Sequence, residues 1–301
     1  MKKFLINIAI FFAIVVVVDF VAGKVFFKLQ STCAKGGTGS EYYICNNLNE
    51  DILIMGSSRA AHHYVSNMFA DRLGMTCYNG GQDGNGIVMQ YGRWQMISKH
   101  HLPKVIIYDI EPAFDLSGGD NERFIDRLKP YADDADVKDY IADLFPMEKL
   151  KLTSRMYRYN YKFLEVISDC MRPSEVNYGY KPRYSHIRQE LIDKQNDAVN
   201  GRPIDFDEEK KRILMNLVGE AQENGVKVIL VSSPYWKGYS NFDMRVVKEL
   251  AAKMNVPFID YADSEIRNNP DWFADSMHMN DDGAKVFTVD LIGKIRSFCS
   301  I

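Results

Sequence analysis

Residues 52–63 read ILIMGSSRAAHH. An apolar run ending in Gly56-Ser57-Ser58 has the pattern of a buried strand that stops at a turn of small residues. A parallel strand covered on both faces is near-continuously apolar, and α/β proteins place their working groups just past the carboxyl ends of such strands. Ser57 and Ser58 stand at that edge, with Arg59, His62 and His63 on the helix expected after them.

Similar runs recur outward from this one, at 75–79 (MTCYN), 105–110 (VIIYDI), 226–233 (VKVILVSS) and 256–261 (VPFIDY). Helix-like stretches lie at 87–100, 207–224, 243–255 and 281–298. Strands alternating with helices predict right-handed crossovers and a parallel sheet covered on both faces, hence a three-layer α/β/α sandwich with a flavodoxin-like sheet. More than a hundred residues separate the third run from the fourth, too many for one crossover, so about 117–205 reads as a helical insertion near the strand ends. Within it Tyr157, Tyr159, Tyr161, Tyr178, Tyr180 and Tyr184 interleave with Arg155, Arg158, Arg183 and Arg188. That composition suits either a carbohydrate- or anion-binding surface or ordinary amphipathic packing.

The chain opens with MKKFLINIAIFFAIVVVVDFVAGK, in which Lys2 and Lys3 precede about eighteen mostly apolar residues from Phe4 to Val21. At 1.5 Å rise per residue this is long enough for a hydrocarbon core of about 30 Å. A cleaved signal peptide and an uncleaved signal anchor both fit residues 1–24. The long apolar stretch and the poor cleavage site at Val21-Ala22-Gly23 favour the anchor. The positive-inside rule then keeps Lys2 and Lys3 in the cytoplasm and exports the chain beyond Lys24, to the periplasm or cell surface. Residues 25–50, rich in Gly, Ser, Thr and Asn, read as a linker into a domain spanning 51–301.

With 37 basic against 40 acidic residues, no polyanion partner is suggested, and nucleic acid is disfavoured. The five cysteines Cys33, Cys45, Cys77, Cys170 and Cys299 form no C-x-x-C pattern, so no metal is expected. In an exported domain Cys33 and Cys45 could pair across a short loop, with at least one thiol left over. His62 and His63 lack the acidic or His partners that a metal site needs, and a surface or packing role is the better reading of both.

A serine becomes a nucleophile only with a base in reach and a third group orienting that base. Near the C-terminus stands DWFADSMHMNDDGAKVF, with Asp275 and His278 three apart and Asn280 suited to cap the last helix. Spaced so, the carboxylate can fix one imidazole tautomer while the other ring nitrogen faces the serine.

These blocks together resemble the SGNH (GDSL-type) hydrolase and acyltransferase superfamily, in its membrane-anchored branch. Gly56-Ser57-Ser58 is similar to the Gly-Asp-Ser block, Asn79-Gly80-Gly81-Gln82-Asp83-Gly84 to the Asn-x-Gly-x-x-Gly block, and Asp275-Ser276-Met277-His278 to Asp-x-x-His. The resemblance covers roughly 51–116 and 225–298. It implies Ser58 as nucleophile, His278 as base, Asp275 as its orienting acid, and backbone amides of Ser58 and Gly84 as the oxyanion hole. In one block the chain departs from the pattern: Glu111 stands near the expected oxyanion Asn, and an ionised Glu is a poor donor. Arg59 and Glu111 are possible substrate contacts, although Arg59 also suits an ion pair with Glu111 or Asp109. The resemblance implies a membrane-tethered serine esterase or O-acyltransferase acting on acylated envelope carbohydrate or another ester, with no cofactor. The alternative is a non-catalytic envelope protein that keeps the fold and binds glycan through the Tyr/Arg segment.

Overall fold

A computed structural model describes residues 1–33, 36–118, 125–160, 162–171, 178–193, 203–237 and 243–299. The chain forms two compact units, one of residues 1–47 with 125–175 and the other of 48–124 with 176–301.

The second unit holds the sheet. Its five strands are β1 (Ile52–Gly56), β2 (Cys77–Asn79), β3 (Val105–Asp109), β4 (Lys227–Ser232) and β5 (Phe258–Asp260). They lie in the order β2-β1-β3-β4-β5 with every pairing parallel. This is the doubly wound order whose switch point falls between β1 and β3, the place beyond the strand ends where sheets of this order bind their ligands. Strands β1 and β3 are buried throughout, which explains their unbroken apolar runs. Helices Ser66–Leu73, Ile87–Ile97, Glu208–Glu223, Arg245–Lys253 and Asp281–Cys299 connect or follow the strands, giving the α/β architecture expected. One core cluster joins Ile52, Ile54, Val105, Ile107, Ile229 and Val231 of the central strands to Phe287, Leu291 and Ile295 of the last helix.

The first unit corrects the expected linker. The apolar helix runs from Lys2 through Thr32, and Gly36–Asn46 forms a second helix. Composition suggested a loop, but packing decides: Thr38, Gly39, Glu41, Ile44 and Cys45 are buried, and the Thr38 amide donates to Asp169 at 2.9 Å. No disulfide joins Cys33 to Cys45, and the Cys45 thiol donates to the Glu41 carboxylate at 3.5 Å.

The expected insertion is not one body either, because 125–175 folds with the N-terminal helices and 176–205 with the sheet. Its Tyr/Arg cluster divides accordingly. In the first unit Tyr159 and Arg158 are buried, Arg155 and Arg158 both pair with Asp133, and the Tyr157 hydroxyl donates to Glu148. That half is packing, not a binding face. In the second unit Tyr180 is buried with its hydroxyl on Asp281. Tyr161 lies outside the described residues.

Candidate active site

β1 ends in Gly56 at φ 136°, and a Cβ there would stand 2.6 Å from the Asp109 carbonyl oxygen of β3. Only glycine allows β1 to turn this close to its neighbour. Ser57 then leads into the short helix Ser58–His63, whose first residue is Ser58. Ser57 is buried with its hydroxyl unpartnered, whereas Ser58 is half-buried with its Oγ 2.8 Å from His278 Nε2.

The segment carrying His278 is fixed at both ends. Phe273 and Met279 pair across it as an antiparallel bridge, and the Gly283 amide donates to Asn280 Oδ1 at 3.0 Å, capping the last helix. Between them Asp275 Oδ1 accepts from the amides of Met277 and His278 at 2.8 and 2.9 Å. His278 Nδ1 lies 2.9 and 3.0 Å from the two Asp275 carboxylate oxygens. A carboxylate only accepts, so Nδ1 carries the proton and the Nε2 lone pair faces the Ser58 hydroxyl. Burial pushes the Asp275 carboxyl up, but the His278 hydrogen bond and charge, with the two amides, outweigh it and hold the pKa at about 2. Ser58, His278 and Asp275 thus come together as the spacing suggested.

The second block lies against the Ser58 helix. Asn79 Nδ2 donates to the carbonyls of Ala60 and Tyr64 at 2.7 and 2.9 Å, while its Oδ1 accepts from the Gly81 amide at 2.9 Å. A Cβ on Gly81 would fall 2.2 Å from the Ala61 nitrogen, so this contact requires glycine. Gly84, three residues on, turns through the left-handed region at φ 68°.

Arg59 and Glu111 do not line an open site. Both are buried, with Arg59 Nε 2.8 Å from Glu111 Oε2. Arg59 also donates to the carbonyls of Ser233 and Ile110 at 3.0 and 2.9 Å, tying the ends of β3 and β4 to the Ser58 helix. A buried carboxylate needs a counter-charge, and Arg59 supplies it, so the pairing takes both side chains away from a substrate role.

Further polar residues surround the three. The Met279 amide donates to His63 Nε2 at 3.0 Å, His63 Nδ1 lies 3.0 Å from Ser233 Oγ, and Ser233 Oγ donates to Asp109 at 2.7 Å. Burial, reinforced by the neighbouring His278 and Arg59, holds the His63 pKa well below the usual range and keeps the ring neutral. His62 places Nδ1 2.6 Å from the Lys181 carbonyl and Nε2 2.7 Å from Asp83. Arg183 reaches across, donating to Asp275 Oδ2 at 3.0 Å with its other terminal nitrogen 3.2 Å from His62 Nε2. Of these, Ser233 was open to discovery, since it follows β4 as Ser57 and Ser58 follow β1. Arg183 carried no signal beyond its Tyr/Arg-rich surroundings. Among the described residues no group of three or more His, Cys, Asp or Glu side chains is arranged to hold a metal ion.

No family model and no curated protein matches the chain. Among solved structures, the chain is similar to a catalytic mutant of an acetylxylan esterase from Geobacillus stearothermophilus, at 14% identity over 82% of this chain and 94% of that one, with a TM-score of 0.40. It is also similar to a GDSL-like lipase from Bacteroides thetaiotaomicron, at 12% identity over 90% of this chain and 97% of that one, with a TM-score of 0.35. Likenesses of this strength carry no argument about activity, and the fold and the site rest on the strand order and on the residues just described.

Proposed function

We propose that the protein is a membrane-tethered ester hydrolase or O-acyltransferase of SGNH type. The observation that carries this reading is the 2.8 Å contact of Ser58 Oγ with His278 Nε2, with Asp275 on the opposite ring nitrogen. Ser58 Oγ attacks the ester carbonyl as His278 Nε2 takes its proton, and Asp275 stabilises the imidazolium that forms. The Ser58 amide, at the open first turn of its helix, and the Gly84 amide receive the oxyanion. Collapse expels the alcohol, protonated by His278, and leaves an acyl group on Ser58. Water or an acceptor hydroxyl, deprotonated by the same ring, then takes the acyl group and frees the serine. Which acceptor does so distinguishes hydrolase from transferase.

Residues 2–32 form a continuous helix, and the window that meets the length and hydropathy of a membrane span is exposed throughout. The same helix is also part of the first unit, because Asp19 accepts from Ser154 Oγ, the Arg155 amide and the Met156 amide at 2.5, 2.8 and 3.0 Å. Cleavage near Gly23 would strip these donors of their acceptor, which supports an uncleaved anchor over a removed signal peptide. Lys2 and Lys3 then mark the cytoplasmic end, and the catalytic unit acts outside on acylated envelope glycans, substrates held at the surface where a tether is useful.

The test is to treat the full chain in detergent with a fluorophosphonate probe and with p-nitrophenyl acetate. Labelling and turnover are expected in the wild type and lost in Ser58→Ala and His278→Ala. Labelling that persists in Ser58→Ala, or none in a folded wild type, overturns the reading.

A further inference from the structure

We infer that the first unit is sunk into the outer leaflet of the bilayer, with the turn at 154–156 below the lipid headgroups and Met147 and Leu150 as its lipid contacts. This rests on the reading of the N-terminal helix as an anchor and adds a depth and a surface to it.

Length carries the first step. Between Lys3 and Asp19 the helix offers only residues 4–18, about 22 Å at 1.5 Å per residue, which falls short of a hydrocarbon core of about 30 Å. The exposed apolar stripe does not stop at Asp19. Phe20, Val21 and Val25 are 48%, 53% and 59% exposed, so exposed apolar side chains continue from Phe4 to Val25, about 33 Å, with exposed Lys24 beside the outer end. That length fits the core, and it places Asp19 about 9 Å inside the span's outer end.

Asp19 tolerates that depth because its carboxylate is satisfied by protein: Ser154, Arg155 and Met156 supply three donors where lipid would supply none. Closeness here is enforced at Gly23, where a Cβ would meet Arg155 Cβ at 2.2 Å. The turn at 154–156 therefore lies beside helix residues that must themselves be in the membrane, at a depth typical of interfacial elements, about 5–10 Å.

The neighbouring surface is built for that position. Leu150 lies one turn before Ser154, its carbonyl accepting from the Thr153 amide at 3.1 Å. Leu150 and Met147 are 70% and 69% exposed, while Glu148 between them is buried on Lys129, Lys151 and Tyr157. The Arg155 guanidinium and Lys24 Nζ sit over the Phe20 ring at 4.9 and 5.3 Å, and both are long side chains whose apolar stems let the charge reach toward the headgroups. Exposed Met171 makes the natural contrast. Its neighbour Cys170 lies against the Leu29 carbonyl, about 15 Å further along the helix than Asp19 and so about 6 Å beyond the apolar span, outside the hydrocarbon core.

The full chain is reconstituted in phosphatidylcholine vesicles with and without lipids brominated high in the acyl chains, and Phe12→Trp, Leu150→Trp and Met171→Trp are compared after subtraction of the native emission. Loss of the added emission at Phe12→Trp and Leu150→Trp, with Met171→Trp unchanged, is the expected result. Quenching at Phe12→Trp alone overturns the immersion and leaves the anchor standing. No quenching at Phe12→Trp removes the anchor itself. A Leu150→Trp emission that is blue-shifted yet insensitive to bromine means that a second protein copy covers this surface, and equal quenching at Met171→Trp removes the assigned depth; either overturns the inference.

Discussion

Protonation of His63 should loosen the segment that carries His278. His63 Nε2 accepts the Met279 amide, one residue beyond His278, so a second ring proton would set N–H against N–H in a site buried beside Arg59. The folded-state pKa lies well below the ordinary 6.5, so the unfolded chain takes up the proton first. His63 therefore lowers stability as pH falls from 6.5 toward its folded value and contributes no slope above 6.5. One proton corresponds to about 1.4 kcal/mol per pH unit, the steepest slope this single group can add. Trp94, Trp236 and Trp272, the chain's three tryptophans, all belong to the second unit, so urea unfolding followed by their fluorescence reports on that unit. The comparison is wild type against His63→Gln, which can accept from Met279 and donate to Ser233 without titrating. Asp115, raised to about 7 by burial, gives a slope of the opposite sign, losing stability as pH rises from about 4 to 7, but it is common to both proteins and cancels. Asp275, at about 2, titrates below this window. Wild type should lose more stability than the variant as pH falls from 6.5, by up to about 1.4 kcal/mol per pH unit. Equal slopes in the two proteins would refute the argument.

Contacts beside the site set the other expected outcomes. Arg59→Met or Glu111→Leu alone should cost about 3–5 kcal/mol by stranding a buried charge, and the double variant should recover much of it, read by the same urea titration; purely additive losses would show that the 2.8 Å pair is not coupled. Glu111→Gln, which strands Arg59 under the Ser58 helix, should lower both stability and turnover of p-nitrophenyl acetate, whereas the double variant, which removes the pair together, should escape the 10²- to 10³-fold fall typical of a lost oxyanion donor; such a fall in the folded double variant would return Glu111 to the reaction. Gly81→Ala forces a Cβ to within 2.2 Å of the Ala61 nitrogen and should cost about 1–3 kcal/mol, with reduced turnover because the Ser58 helix must shift; a variant of wild-type stability and rate would show that the contact gives way freely.

The legible parts of this molecule were those governed by local pattern. Strands buried on both faces announce themselves as apolar runs, and Asp275 with His278 is a pair that one turn can hold, so both could be found without knowing what lay opposite. The rest depends on distant partners. His63 meets Ser233 across 170 positions and Arg183 meets Asp275 across 92, and nothing near any of these residues encodes the meeting. The segment from 25 to 50 misled for the same reason: its Gly, Ser and Thr content favours a loop locally, and helices form there because residues from 125 to 175 cover them.

Glu111 is the residue where local reading and structure diverge most usefully. An acidic side chain at the end of β3 looks like damage to an oxyanion hole when only the motif is considered. Its partner is Arg59, the residue after Ser58, and that guanidinium also holds the carbonyls of Ile110 and Ser233. A neutral Asn at 111 would leave Arg59 as an uncompensated buried cation at the base of the Ser58 helix. The acid therefore belongs to the support of Ser58. It ties down the helix that carries Ser58, and a rigid amide is what the proposed oxyanion hole of two backbone donors requires, since donors aimed in advance stabilise charge without reorganising. Arg59 and Glu111 thus form one supporting unit beneath Ser58, and the proposed oxyanion hole draws on backbone donors alone.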